Sequence, residues 1–239
     1  FLDTIHERLR NYLGMVFYYY ISEEGASIPL SDGRKIRKKL EISYGGPRNL
    51  IIPLDPFCRE WETGMANGTI GRSRKFEVKV GDEVKMLYTK AWFVAHPDVD
   101  QKRVNHQNRM KSTKREDAIG AMQGVYVYRN MRLVDFCSGD DPWKGIIKRH
   151  DNQNYHRWEV HLPPGMNVGR EGSEFKLNTS KSQVKFSINM KKKMRNWGSR
   201  PGVKWHDDDP AIFSAKLRAE IRNGNDKSQK YKPKETKKK

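Results

Sequence analysis

Near the start of the chain, Leu2, Ile5, Leu9, Leu13, Val16, Phe17 and Tyr20 recur at spacings of three and four. That period predicts one amphipathic helix over residues 2–22. Gly14 inside it costs about 1 kcal/mol against alanine, which points to a packing requirement at that position. Gly25 is expected to end the element. Downstream the period changes to two. Phe76, Val78 and Val80 alternate with charged residues, Gly81-Asp82 makes a turn, and Val84, Met86 and Tyr88 alternate again before a more buried "AWFVA". These are two half-buried strands. "ISYGGPRNLIIPLDPF" predicts a short strand, a Gly-Gly-Pro turn and a second strand over 49–54. Pro53 and Pro56 mark its exit or an edge position.

The best-patterned stretch is "QGVYVYRNMRLVDF" (123–136), a hairpin with runs at 125–128 and 131–134 meeting at Arg129-Asn130. Asn tolerates a positive φ, which a tight hairpin turn demands. Val125 and Val127 face one way and Tyr126 and Tyr128 the other, so one side is aliphatic and the other aromatic. "RWEVHLPPGMN" (157–167) predicts a strand that stops at Pro163-Pro164, and "FKLNTSKSQVKFSI" a strand, a loop and a strand. Residues 97–122 are polar and basic with little apolar periodicity, and are expected to form a loop or lid. "DPAIFSAKLRAEIRNG" predicts a last helix, capped by Asp209, with Pro210 in its first turn and Gly224 closing it. The order of elements predicts an α+β fold: a mostly antiparallel sheet with helices on one face.

Composition narrows the classes of partner. The 239 residues are 36% hydrophobic and 32% charged, with a formal net charge of +18. A balance this basic favours an anionic partner, such as nucleic acid, nucleotide phosphate or an acidic surface. Two cysteines, Cys58 and Cys137, make no disulfide framework and suit a reducing, cytoplasmic setting. No apolar run approaches the roughly 20 residues needed to span a membrane, and no signal peptide is evident. The chain opens on Phe1 and is at once helical in pattern, so further residues are expected upstream. The lysine-rich segment 225–239 has no core-forming pattern and is expected to be disordered.

Several segments together resemble one family. "GVYVYRNMRLV" is similar to a hairpin found after the nucleotide-binding domain of GHKL-type ATPases, the superfamily of gyrase, mismatch-repair proteins, Hsp chaperones and histidine kinases. "RLRNYLGMVFYYYI", "RNLIIPLDPF", "DDPWKGI", "RWEVHLPPGMN" and "FKLNTSKSQVKF" resemble other segments of the same region, in the same order, over residues 5–190. The match is closest to a bacterial and phage group of ATP-binding proteins with a histidine-kinase-like ATPase.

The resemblance implies a transducer domain, related to a small ribosomal protein and built on a four-stranded sheet with a left-handed β-α-β crossover. It divides the chain into a leading helix (1–24), the transducer-like domain (25–190) with its basic loop 97–122, a basic and helical segment (191–224) and the tail (225–239). ATP and Mg²⁺ would be held by an N-terminal ATPase domain of the same protein, and a homodimer is implied by relatives that close as dimers. The adenine motif DxGxG and the lid motif GxxGxG are absent from this sequence, and the magnesium pattern ExxxN, which occurs at 7–11 and 174–178, is accompanied by neither of them. "GREGSEF" is read as a turn. The basic residues at 101–115 and the tail exceed the family pattern.

Two site readings follow from the resemblance. Lys181, in the polar loop "NTSKSQ", matches a lysine that reaches the γ-phosphate across the domain boundary. A compact, mobile ammonium suits that role. Thr179, Ser180 and Ser182 would add donors. Arg129, Asn130 and Arg132 would contact the nucleotide domain or another anionic partner. The alternative is that the arginines pair with surface carboxylates such as Asp135.

A different class of function stays open beside these, a stand-alone nucleic-acid-binding module. Its candidates are Lys111, Lys114 and Arg115, then Lys191, Lys192, Lys193 and Arg195, with "RKIRKK" (34–39) as a third cluster. Trp197 and Trp205 would supply stacking surfaces. Metal binding is not expected. His150, His156 and His161 lack the i, i+4 spacing of a helical zinc pair, and Asp207, Asp208 and Asp209 suit the start of the last helix.

Overall fold

The computed structural model describes residues 2–27, 39–46, 49–61, 70–94, 101–113, 119–136, 141–146, 156–163, 173–177 and 183–196. The expected last helix at 209–224, the tail, and Trp197 and Trp205 lie outside the described residues.

The apolar period at the start gives α1 (Leu2–Val16) and α2 (Tyr18–Ile21), separated by a single irregular residue, Phe17. Hydrogen bonds run across it: Phe17 N donates to Leu13 O (3.0 Å) and Ile21 N to Phe17 O (3.1 Å). α3 (Glu23–Ser27) follows. Ser22 caps it by accepting the Gly25 amide at 2.8 Å, and Glu23 and Glu24 stand at its positive end. Gly25 therefore lies inside a helix rather than ending one, because the Ser22 cap restarts the winding. The packing reason for Gly14 is visible. A Cβ there would stand 2.3 Å from the carbonyl oxygen of Ile52, in a segment whose Leu54 amide bonds back to Gly14 O.

The strand at 49–54 is reduced to one bridge, Ser43 with Leu50, flanked by the bonds Ile51 N to Ile42 O and Tyr44 N to Asn49 O. After it, Asp55 folds the chain into a tight turn. Its carboxylate accepts the amides of Phe57 and Arg59, at 3.1 and 2.6 Å.

β1 (Ile70–Val80) and β2 (Glu83–Phe93) form the hairpin predicted by their alternation. Phe76, Val78 and Val80 are buried, and register places Leu87 on their face. Val84 and Met86 lie on the opposite face and stay exposed, at 61% and 38%. The stretch expected to be a loop holds α4 (Gln101–Ser112). Its buried positions, Arg103, Gln107 and Met110, do follow helical spacing. Two of the three are polar, so hydrophobic periodicity could not reveal the helix.

β3 (Gly124–Arg129) and β4 (Arg132–Phe136) form the expected hairpin, with β5 (His156–Leu162), β6 (Phe175–Leu177), β7 (Val184–Phe186) and α5 (Ile188–Asn196) after it. The turn falls one residue later than predicted. Arg129 pairs with Arg132, and the central residues are Asn130 and Met131, with φ of +48° and +61°. Two successive positive φ values fit the twist of a two-residue hairpin loop. Burial of Met131 among aromatic side chains fixes this unusual residue there.

The strands assemble as β1-β2-β5-β3-β4, with β6-β7 as a separate pair. The fold is α+β. Its main sheet is mixed and has five strands, where the resemblance implies four. Three pairings are antiparallel, but β3 and β5 are parallel, because the chain between β4 and β5 is long enough to return past β3.

Both faces of the sheet are covered. Val125, Val127, Trp158, Val160 and Leu162 pack on one side with Phe175, Phe186, Met190 and Met194 of β6, β7 and α5. Tyr126, Tyr128 and Trp92 pack on the other with Met15, Tyr18 and Tyr19 of α1–α2, Phe57, and Met110 of α4. The aliphatic and aromatic sides of β3 are as the sequence predicts. The helices, however, do not keep to one face, since α5 closes the side opposite α1–α4. Gly124, with φ +131°, passes so close to Pro142 that a Cβ would meet its carbonyl oxygen at 2.4 Å. Among the described residues, no helix is long and apolar enough to cross a membrane.

Candidate functional site

β5 reads Arg157-Trp-Glu-Val-His-Leu, a clean alternation of polar and apolar residues. In a sheet with one wet face the polar set would meet water. Here β5 is the middle strand, and Arg157 and Glu159 are buried beneath α1–α2 and α4. Burial without partners would cost several kcal/mol per charge, so partners must come from elsewhere in the chain.

They come from the turn after Leu54. Arg59 donates to Asp55 Oδ1 at 2.6 Å and to Glu159 Oε1 at 2.7 Å. Glu159 also receives the indole N–H of Trp92 at 2.7 Å, pairs with His161 Nε2 at 2.8 Å, and accepts the hydroxyl of Tyr19. Tyr19 in turn accepts from Arg59. The Arg59 guanidinium sits over the rings of Tyr18, Tyr19, Phe57 and Trp92, 4.7 to 5.3 Å from their centroids. Arg157 donates to the carbonyl oxygens of Pro56 and Met122 and to Gln107 Oε1. One ionic cluster thus joins α2, the 55–59 turn, β2 and β5.

Electrostatics fix its protonation. Burial alone would raise the pKa of Glu159, but Arg59 and His161 overcome that and hold the carboxyl well below its usual range. Burial likewise opposes the charge on Arg59, and Asp55 and Glu159 more than restore it. Burial lifts the phenols of Tyr19 and Tyr128 far above their usual value, and pushes the Cys58 thiol up to about 12. Burial keeps the Cys58 thiol protonated and a poor nucleophile.

The hairpin tip lies against the same helix. Tyr20 donates its hydroxyl hydrogen to the carbonyl oxygen of Asn130, and Arg132 stands over the ring of Phe17 at 5.9 Å. Arg129 is half-buried beside them. Asp135, an expected partner of the arginines, is instead buried and bonded to Lys144 Nζ at 2.6 Å. The same carboxylate oxygen accepts the Val184 amide, so it is taken up by Lys144 and β7 rather than by the arginines at the tip.

Among the described residues the other sequence candidates divide between α4 and α5, on opposite faces of the sheet. Lys111 closes α4, where a cation suits the negative helix end. Lys191, Lys192 and Lys193 lie on α5, whose backbone also includes Arg195. Lys192 is exposed and Lys191 lies over Gly145. Lys193 is engaged with Glu174 at 2.9 Å and with the carbonyl oxygen of Glu77 at 3.0 Å. Lys181, Lys114, Arg115, His150 and Asp207–Asp209 lie outside the described residues. Among the described residues no group of histidines, cysteines and carboxylates could hold a metal ion.

Sequence reasoning missed Arg59, Glu159, Tyr19 and Arg157. One signal was available: a Glu flanked by Trp and Val in a strand ending on Pro-Pro, with an Asp and an Arg four residues apart in "DPFCR". Beside this cluster a cavity of 580 Å³ opens between α2–α3, the 39–42 and 50–53 segments and α4. Comparison with protein-family models, with curated proteins and with solved structures finds no match to this chain.

Proposed function

We propose that this chain is the transducer segment of a GHKL-type ATPase. ATP and Mg²⁺ are held by an N-terminal ATPase domain of the same protein, in a cytoplasmic assembly that closes as a homodimer. The chain itself relays the state of the nucleotide and carries no ATP site of its own.

One observation supports this above the others. The helix that leads into the domain is fastened twice to the sheet, through Tyr19 to Glu159 on β5 and through Tyr20 to the β3–β4 tip. A displacement of α1–α2 by an upstream domain would carry the middle strand with it. The ordered motifs, without the adenine and lid motifs of a nucleotide site, agree with a relay. Lys181, between β6 and β7, supplies the contact to the γ-phosphate in this reading. The nucleic-acid alternative draws less support, because Lys193 already serves Glu174.

The test uses the protein extended upstream of Phe1. The upstream reading frame is expected to encode ExxxN, DxGxG and GxxGxG, and the extended protein to hydrolyse ATP. Lys181→Ala should lower turnover about a hundredfold and leave nucleotide affinity within about threefold, because the contact forms with the transferred charge. Lys176→Ala and Lys185→Ala, on the flanking strands, should leave turnover unchanged. Absence of the upstream motifs, or equal turnover in all three variants, overturns the reading.

A further inference from the structure

β1 stands at the end of the main sheet, with β2 beside it. In an antiparallel pair the amide and carbonyl of a residue point the same way, and alternate residues turn away from the partner strand. The end of β1 shows which residues turn outward. Lys79 O accepts the amide of Glu174 at 3.0 Å, and Lys79 N donates to the Glu174 carboxylate at 2.9 Å. The carbonyl oxygen of Glu77 takes Lys193 Nζ. The register to β2 is unbroken from Ile70 to Val80, so Gly71, Ser73 and Lys75 turn outward as well. Among the described residues, their amides and carbonyls make no further hydrogen bond.

The covered half of this edge shows what the open half accepts. Residues 173–174 lie on it antiparallel to β1, since Ser173 stands at Gly81 and Glu174 at Lys79. That contact combines a main-chain bond with a carboxylate. The chain therefore fastens one acidic, extended segment of its own to β1, and the cover stops at Glu77.

The open half is strongly basic. β1 contains Arg72, Arg74, Lys75 and Lys79 against a single carboxylate, Glu77. Ser73 and Lys75 are exposed. The Lys75 ammonium lies 5.3 Å from the centroid of the Tyr88 ring, and among the described residues no carboxylate pairs with it. Charge on an edge strand discourages pairing with a second copy, because like charges would stand opposite each other. The same charge attracts a strand of opposite sign. Alternate residues of such a strand would lie on the face of Lys75, and the others on the face of Phe76, whose side chain belongs to the core.

We infer that the outer edge of β1, from Gly71 to Lys75, receives an extended acidic segment of a partner protein as an added antiparallel strand, with a carboxylate residue opposite Lys75 and apolar residues on the Phe76 side. Main-chain bonds supply the attachment and charge supplies the choice. The site is independent of the nucleotide relay.

The experiment titrates the full chain into dye-labelled acetyl-Val-Glu-Val-Glu-Val-Glu-amide and reads fluorescence anisotropy. A chain of net charge +18 attracts any acidic peptide, so the peptide controls keep the charge and change the backbone. A residue opposite Lys75 in this arrangement directs its own amide at β1. N-methylation of the glutamate amides should therefore weaken binding about tenfold or more, and N-methylation of the valine amides less than about threefold. Ser73→Pro removes one outward amide and no bond to β2, and should weaken binding about fivefold while the chain stays folded. Lys75→Glu should weaken it about tenfold, and Lys102→Glu, exposed on α4, less than about twofold. Absent binding, equal affinity for the two methylated peptides, or equal effects of Lys75→Glu and Lys102→Glu overturns the assignment. So does a dimer of the chain that Ser73→Pro dissociates, which gives this edge to a second copy.

Discussion

The carboxylate of Asp135, on β4, accepts the backbone amide of Val184 at 2.6 Å, at the residue where β7 begins. The same oxygen takes the ammonium of Lys144. A buried charge on the edge strand of the main sheet therefore anchors the separate two-stranded sheet. Asp135→Ala should cost about 3 kcal/mol in urea unfolding, because it removes the buried carboxylate oxygen that the Lys144 ammonium and the Val184 amide share. Adding Lys144→Met should recover part of the loss. Full stability in the single variant would mean that water replaces the carboxylate.

The Arg59 cluster predicts an acid response with a definite sign. Glu159 has a depressed pKa in the folded chain, so its contribution is complete above the ordinary carboxylate range and is lost as pH falls through that range toward the folded value. Glu159→Gln should cost about 3 kcal/mol at pH 7. The gap between parent and variant should narrow below about pH 4. Tyr19→Phe removes the hydroxyl that donates to Glu159 and accepts from Arg59, and should cost about 2 kcal/mol with little pH dependence. Chemical denaturation from pH 3 to 7 distinguishes the two.

His106 acts over a different window. It is neutral when folded, with a pKa lowered to about 4, and takes up a proton in the unfolded chain below about 6.5. Stability should be whole above that value and decline as pH falls toward 4, by no more than about 3 kcal/mol. His106→Asn should flatten this part of the profile. An unchanged slope would place the responsible group elsewhere.

Two glycines should resist replacement by alanine, one in a helix and one in a strand. Alanine normally gains about 1 kcal/mol over glycine inside a helix. Gly14→Ala should instead destabilise by about 2 kcal/mol or more, since the Ile52 carbonyl lies 2.3 Å from the added Cβ and belongs to backbone that bonds back to α1. Gly124→Ala should cost about 3 kcal/mol, combining a positive φ with the Pro142 contact. Thermal melting of each variant measures both effects.

What the sequence made legible follows from which forces leave a periodic trace. The β1–β2 hairpin, the two faces of β3 and the need for Gly14 were readable because apolar side chains and a helical glycine announce their surroundings. α4 was not, because Arg103 and Gln107 occupy positions usually held by leucines. The buried cluster was hidden for the same reason. Arg59 and Glu159 stand 100 positions apart, and no local period links a buried charge to its partner. The parallel pairing of β3 with β5 depends on how far a connection can reach, not on the strands themselves. The second face of helices was missed because the lysines of α5 mask Met190 and Met194 beneath it.

Tyr18, Tyr19 and Tyr20 follow one another on α2, and successive helical residues point about 100° apart. The three phenols therefore look into three different places: Glu24 at the cavity mouth, Glu159 in the ionic cluster, and the Asn130 carbonyl at the hairpin tip. Three consecutive codons thus encode three separate reporters. Fluorinated tyrosine at each in turn would give resonances that respond one to changes at the cavity mouth, one to acid and one to movement of the leading helix.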